Sequence, residues 1–399
     1  MIEESEALEK VLTSTPLPVE RDIPVSESIG RFLVRDARSK TNLPQVCQSG
    51  VDGYAVKISN CRENLSRLRV IGQSVAGVEC DACIKHGEAF RVFTGSELPM
   101  GANAVIKQED VKVLSDGLIL IKKKVELNDY VRRIGEVLTK GQRISNKGSC
   151  VKSSTLGSLI AGGISEVKVG SFPSIGIITI GDELIHEEQK QIKCHQTYDS
   201  NGLMLKAAAI KAGVEKIELK RTRDDLGEIS AEVLKMEQWA DIIIVVGGMS
   251  VGERDFSKVA LKECGVKEIF WRVRIRPGKP MFYGKFGESC QIFGLPGNAV
   301  SAFVCFHLFV LPAMRLRSGA SADGVKLDQM KAIAGSFLKN SDNRPHYVHG
   351  KFREGKFHSI GNQSSNNLLA LSQADSLIRL DERSSIQFGD LVTVFRLID

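Results

Sequence analysis

The stretch from Ser174 to about Arg315 constrains the fold most, because apolar runs and helical patterns alternate along it. SIGIITI, at 174–180, is almost wholly apolar, as a strand buried on both faces must be. A helical pattern follows over Gly202–Ala212, then a strand at EKIELK, a helix over Leu226–Trp239 and the strand DIIIVV. A helix near Ser257–Glu263, the strands EIFWRVRI and CQIFGL, and a long helix from Ala299 to about Arg315 complete the series. Parallel strands need crossover connections, and helices of this length supply them. The pattern predicts a doubly wound, mostly parallel α/β domain over 174–318.

The flanks read differently. Residues 5–13 form an amphipathic pattern with Leu8, Val11 and Leu12 on one face, and a second helical stretch runs near Ser26–Arg35. From 46 to 139, short β-like runs such as LRVIGQSV, EAFRVFTGS, ANAVIKQED and DGLILIKKKV are broken by glycines. We expect a β-rich module there, inserted into a mixed N-terminal region made of 1–45 and 140–173. SGASADG, at 318–324, reads as a linker. Beyond it, HYVHGKF, KFHSIG, SLIRL and LVTVFRL predict a small C-terminal β-barrel or sandwich over 325–399.

The 399 residues allow roughly two to four domains. The net charge of +6 is spread without a Lys/Arg stripe interleaved with aromatics, which disfavours nucleic-acid binding. The start, MIEESEALEK, is acidic and unlike a signal peptide, and no run approaches ~18 uninterrupted apolar residues. Nine irregularly spaced cysteines fit reduced thiols, so a cytoplasmic protein without a membrane span is expected. Cys80 and Cys83, with His86, have C-x-x-C spacing but no second ligand pair, and coincidence is the better reading.

Ligands of an open parallel sheet bind beyond the carboxyl ends of its strands. SIGIITI is followed by Gly181-Asp182-Glu183, EKIELK by Arg223-Asp224-Asp225, and CQIFGL by Pro296-Gly297-Asn298. DIIIVV is followed by GGMSVGERD, with Gly247, Gly248, Ser250, Gly252 and Asp255. Glycines let backbone N–H groups approach an anion, and carboxylates beside phosphate suit Mg²⁺. Any one of these turns is explained by Gly and Asp as turn formers. Four on one edge predict a binding site, with Asp182, Glu183, Asp224 and Asp255 as candidate metal ligands. RPGKP, at 276–280, holds Arg276 and Lys279 among prolines and is a candidate oxyanion loop. Asp52, in DGYA, offers a further carboxylate.

Together these segments resemble a known family. SGVDGYA, TGSELPMGANAVIKQED, VRRIGE, GDEL, YDSNGLML, RDD, GGMSVGERD, RPGKP and GLPGNAVSA occur in the order of the MoeA-type molybdopterin molybdenumtransferases, which include the gephyrin E domain. The resemblance spans nearly the whole chain; the tail, with Arg344 in NRPHYVHG and Ser365, is the looser part. It implies a molybdopterin-binding α/β domain that takes adenylylated molybdopterin and molybdate, inserts molybdenum and releases AMP with Mg²⁺. It also implies an elongated homodimer with its site between subunits. By motif, Asp52, Glu183, Asp224 and Asp255 would act at the adenylate, with Glu183, Asp224 and Asp255 on the metal. Thr94, Gly247, Gly248, Ser250, Gly252, Pro296, Gly297 and Asn298 would bind substrate, and Arg276, Lys279, Arg344 and Ser365 molybdate.

Several positions depart from the family pattern. Val137 stands where GED has its acid, Val51 replaces a methionine, Val246 a small polar residue, Ala299 a proline, and Arg276 a common lysine. Two other functions stay open at this point. A molybdopterin adenylyltransferase would ordinarily be one α/β domain alone, and a non-catalytic scaffold would bind ligand without releasing AMP.

Overall fold

A computed structural model describes residues 1–61, 65–249 and 256–398; Ser250, Gly252 and Asp255 lie outside the described residues. The central domain comprises β1 (Ile175–Ile180), α1 (Ser200–Lys211), β2 (Ile217–Thr222), α2 (Leu226–Glu237), β3 (Ile242–Val246) and α3 (Phe256–Glu263). It continues with β4 (Lys267–Trp271), β5 (Phe282–Phe286), β6 (Cys290–Leu295) and α4 (Ala299–Cys305). The strand order is β2-β1-β3-β6-β5-β4. The first four are parallel, and β5 and β4 add an antiparallel edge. Every residue of β1, β3 and β6 is buried, which is why their sequences are continuous apolar runs rather than alternating ones.

Helices cover both faces. Leu205, Ala208 and Ala209 of α1 and Val300 to Phe306 share one core with Ile175, Ile177 and Ile244. Ile229 and Val233 of α2 and Ala260 and Leu261 of α3 pack on Ile178, Ile243 and Ile292 across the sheet. The α4 helix runs on through a π-helical stretch, Phe306–Val310, to Leu311–Arg317. That stretch precedes Pro312, whose nitrogen has no hydrogen to donate to the helix ladder. The Ala299–Arg317 helix is long and apolar enough to cross a membrane, yet 78% of its apolar window is buried inside the protein. The N-terminal helix Glu4–Ser14 adds Ala7 and Val11 to the same core.

The β-rich module forms a six-stranded sheet that includes Gly53–Val56, Arg67–Ser74, Glu88–Val92 and Ala104–Lys107. The tail closes into a five-stranded barrel from Gln329–Ala334, His346–Arg353, Lys356–Ser359, Ser376–Leu380 and Leu391–Arg396. The architecture is therefore the one expected from sequence: a mostly parallel α/β domain flanked by β modules.

Four local readings change. Ser26–Arg35 is not an α-helix: only Val25–Glu27 forms a 3₁₀ turn. Gly30, Leu33 and Val34 instead donate to Val151, Ser149 and Lys168, partners far along the chain. EIFWRVRI stops being a strand at Trp271, because Arg272 turns into positive φ. β5 escaped notice because Gly284 and Lys285 interrupt its apolar pattern. The supposed linker at 318–324 is partly packed, with Ser318 at 1% and Ala320 at 6% exposure.

Candidate functional site

The turns after the parallel strands touch one another. Gly181 N–H donates to Thr222 O at 3.2 Å, and Asp224 N–H to Asp182 Oδ1 at 3.3 Å, joining the β1 and β2 ends. The Glu183 carboxylate folds back over Gly181, where a Cβ would lie 2.6 Å from Oε2. Asp225 has another task, capping α2 by accepting from Glu228 N–H at 2.9 Å. The Glu228 carboxylate pairs with Arg223.

The β3 and β6 ends are joined in the same way. Gly247 N–H donates to Leu295 O at 3.1 Å, and a Cβ on Gly297 would come within 3.7 Å of Gly247 Cα. Gly247 and Gly248 have φ of 97° and 61°. A side chain at Gly248 would also meet Ser257 Oγ at 2.0 Å, so this turn requires glycine on both conformational and steric grounds. Ser257 Oγ donates to Gly247 O at 3.2 Å and ties the turn to α3. Asn201, in the first turn of α1, donates from Nδ2 to Gly297 O at 2.5 Å, and its Oδ1 is buried without a partner among the described residues.

Sequence reasoning missed the hub of this edge. Asp199 is 3% exposed and accepts from Thr179 Oγ1 (2.7 Å), Arg221 Nε (2.9 Å) and Gly202 N–H (2.9 Å). It thus clamps β1, β2 and the amino end of α1 together. The legible signal was an Asp placed three residues before a helical glycine, which is N-cap chemistry.

Arg276 and Arg344 meet at the junction of the α/β domain with the barrel. Arg276 N–H donates to Pro345 O at 2.8 Å, Tyr347 N–H to Arg276 O at 2.7 Å, and Arg344 Nη1 to Ile275 O at 3.3 Å. Ser365 is held at the start of α4, its Oγ accepting from Asn298 Nδ2 at 3.0 Å and its carbonyl from Val300 N–H at 3.1 Å. Lys279 is exposed. Arg344 forks onto Asp342, and with Arg276 nearby this holds the Asp342 carboxyl below the usual carboxylate range. Burial, reinforced by Arg276, pushes the His346 imidazole down to about 4, so it is neutral at pH 7.

Asp52 and Thr94 form a separate pair in the β-rich module. Thr94 N–H and Oγ1 each donate to Asp52 Oδ1 at 2.8 Å, and these bonds lower the Asp52 pKa. Among the described residues, no hydrogen bond or ion pair links either side chain to the α/β domain of the same chain. Val137 is 67% exposed.

Three family models match: the MoeA N-terminal region (domain I and II) at 2–163, a probable molybdopterin binding domain at 176–316, and the MoeA C-terminal region (domain IV) at 331–397. A molybdopterin molybdenumtransferase of Haemophilus influenzae is 33% identical over 99% of this chain and 98% of its own length. This chain belongs to the MoeA family. One from Staphylococcus aureus is 30% identical over 79% of this chain and 75% of its own. The crystal structure of the molybdopterin biosynthesis MoeA protein from Pyrococcus horikoshii OT3 superposes with a TM-score of 0.86. That likeness covers 99% of this chain and 100% of that one at 26% identity.

In this MoeA chain the carboxylates at the strand ends are an all-oxygen donor set. Among the described residues, no group of three or more His, Cys, Asp or Glu forms a metal centre. Asp182 Oδ1 is engaged by the Asp224 backbone N–H, and Mg²⁺ in general takes one or two carboxylates when the rest of its shell is phosphate and water.

Proposed function

We infer that this chain is a molybdopterin molybdenumtransferase, a transferase of molybdenum cofactor biosynthesis that acts on adenylylated molybdopterin and molybdate and releases AMP. The reading is carried by one arrangement: the C-terminal domain meets the α/β domain at two candidate positions, Ser365 on Asn298 of a glycine-rich strand end and Pro345, next to Arg344, on Arg276. In this reading the glycine-rich turns supply anion-binding backbone donors and the cations at the barrel junction bind the oxyanion.

In this reading Gly247, Gly248, Ser250, Gly252, Pro296, Gly297 and Asn298 cradle the ligand. Arg276, Lys279, Arg344 and Ser365 hold molybdate, a tetrahedral dianion suited to cations and hydroxyl donors. Glu183, Asp224 and Asp255 hold Mg²⁺, which when bound neutralises charge developing on the phosphates during cleavage. Asp52 and Thr94 serve the site of a second copy in a homodimer, consistent with the lack, among the described residues, of any bond from either side chain to their own α/β domain. A cytoplasmic location accords with these substrates.

Incubation with adenylylated molybdopterin, molybdate and Mg²⁺ should release AMP, and Asp224→Asn should abolish release with an unchanged circular dichroism spectrum. Ligand binding without AMP release by the unaltered chain would replace the enzyme with a scaffold.

A further inference from the structure

The strand Arg67–Ser74 of the β-rich module carries one residue too many for its neighbour. It pairs in parallel with Glu88–Val92, with Val70 opposite Ala89 but Gln73 opposite Arg91. Three steps on one strand thus match two on the other, a β-bulge at Ile71 and Gly72. Gly72 is required there, since a Cβ would meet the Phe90 ring at 2.5 Å. In a regular strand Val70 and Gln73 would project to opposite faces. The bulge puts both on the face shared by Ala89 and Arg91.

That face continues the core of the module. Tyr54, which pairs with Arg91, packs in one cluster with Val56, Leu68, Ala89, Ile106 and Ile119, and Val70 is partly buried against it. The cluster leaves the Gln73 end of the face unfilled. A cavity of about 550 Å³ opens there, with Tyr54, Val70, Gln73, Arg91, Val113 and Ile119 in its lining. A mostly apolar wall with a few fixed polar groups, at this volume, is the make-up of a small-molecule site.

Among the described residues, Arg91 is the one charged group in that lining. Its guanidinium lies 4.9 Å from the Tyr54 ring centroid and 5.1 Å from that of Phe93. It donates from Nη2 to Gln108 Oε1 at 2.7 Å and from Nη1 to Gly53 O at 3.4 Å. These partners are neutral, and Arg91 forms no salt bridge among the described residues. The Asp52 carboxyl is held down first by Thr94 and only then by the Arg91 charge, and both of its hydrogen bonds come from Thr94. A guanidinium fixed by neutral acceptors at an apolar wall offers its remaining N–H groups to an anion without first having to be ordered.

We propose that this cavity binds a small amphipathic monoanion, a carboxylate with an aromatic or aliphatic body. Val70, Val113 and Ile119 cover the body, Gln73 supplies an amide, and Arg91 holds the carboxylate. One cation in an otherwise neutral lining favours a single negative charge over a neutral analogue. The site stands in the inserted module, on residues that serve neither the strand-end turns nor the barrel junction. It does not depend on the molybdenumtransferase reading.

Naphthoate, a fluorescent aromatic carboxylate, serves as the probe, with naphthalenemethanol as its neutral counterpart. Naphthoate anisotropy should rise saturably as the full chain is added. In a sample labelled at valine and isoleucine methyls, the resonances of Val70, Val113 and Ile119 should shift with the same midpoint. Arg91→Gln should weaken naphthoate binding about tenfold, the loss of one charge-assisted pair, and leave the weaker binding of the alcohol unchanged. Val113 is exposed, so Val113→Glu sets a like charge at the rim without disturbing the core. It should weaken naphthoate to a similar degree, and it decides the matter where Arg91→Gln fails to fold. Equal affinity for acid and alcohol, or shifts confined to other methyls, overturns the site. So does unchanged naphthoate affinity in Val113→Glu or in folded Arg91→Gln. Competition by inorganic phosphate at constant ionic strength would make Arg91 a general anion contact and overturns it too.

Discussion

Arg344 donates from Nη2 to Asp342 Oδ2 at 2.6 Å and from Nε to Asp342 Oδ1 at 3.1 Å. A guanidinium fork assigned to molybdate is thus already engaged by a neighbouring carboxylate. An incoming oxyanion must compete with Asp342 for it. Asp342→Asn should therefore tighten molybdate binding by roughly 1 kcal/mol, about fivefold in Kd. Arg344→Ala should weaken it at least as much. Equilibrium titration with molybdate decides; weaker binding in Asp342→Asn would show that the carboxylate orients the fork rather than blocking it.

The Asp52 carboxyl is held below its ordinary pKa first by the Thr94 N–H and then by the Thr94 hydroxyl. Hydrogen bonds to the ionised form favour it, so losing one raises the pKa. Thr94→Val removes the hydroxyl bond and keeps the backbone bond. If ionised Asp52 is needed for AMP release, the acid limb of kcat/KM should move to higher pH in Thr94→Val and vanish into a low plateau in Asp52→Asn. A limb that stays in place in Thr94→Val would remove Asp52 from the chemistry.

Asp199 is the buried partner of Arg221, which also reaches Glu187 at 2.9 Å. Asp199→Asn keeps the shape but strips the charge from a clamp across β1, β2 and α1. Breaking a buried pair by changing one partner is costly, so we expect a loss of about 3 kcal/mol in urea unfolding. A loss below about 0.5 kcal/mol, the range of an ordinary surface change, would deny Asp199 that role.

His346 imposes a pH dependence on stability. Its folded pKa is depressed to about 4 by burial, with Arg276 contributing, against an ordinary value near 6.5. Between those values the unfolded chain binds the extra proton and the folded chain does not. Stability is therefore fully present above about pH 6.5 and falls as pH drops toward 4, approaching a loss of about 3 kcal/mol. His346→Gln should flatten that part of the profile. Parallel unfolding curves of the two proteins at pH 7 and pH 4.5 test it.

Local pattern was enough to order the parallel strands and helices of the α/β domain, but not to show β5, whose apolar run Gly284 and Lys285 interrupt. A strand buried on both faces must be apolar at every position, and SIGIITI, DIIIVV and CQIFGL carry that requirement in contiguous residues. The strand-end turns were legible for the same reason, since Gly247 and Gly248 answer a local demand for positive φ. The partners of those turns were not legible, because a loop's hydrogen bonds go to whatever segment tertiary packing brings near. Asp199 has N-cap spacing ahead of Gly202, a signal that was not read from the sequence, and only the fold adds Thr179 and Arg221 to it. Ser26–Arg35 has a helical pattern, yet its backbone pairs with Ser149, Val151 and Lys168. Arg276 and Ser365 became neighbours of Pro345 and Asn298 only once the barrel docked on the sheet edge. Sequence by itself determined the parallel strands, their crossover helices and the chemical groups that stand at the strand ends. Tertiary structure decided which of those groups meet, because contacts between segments tens of residues or more apart leave no periodicity in the chain.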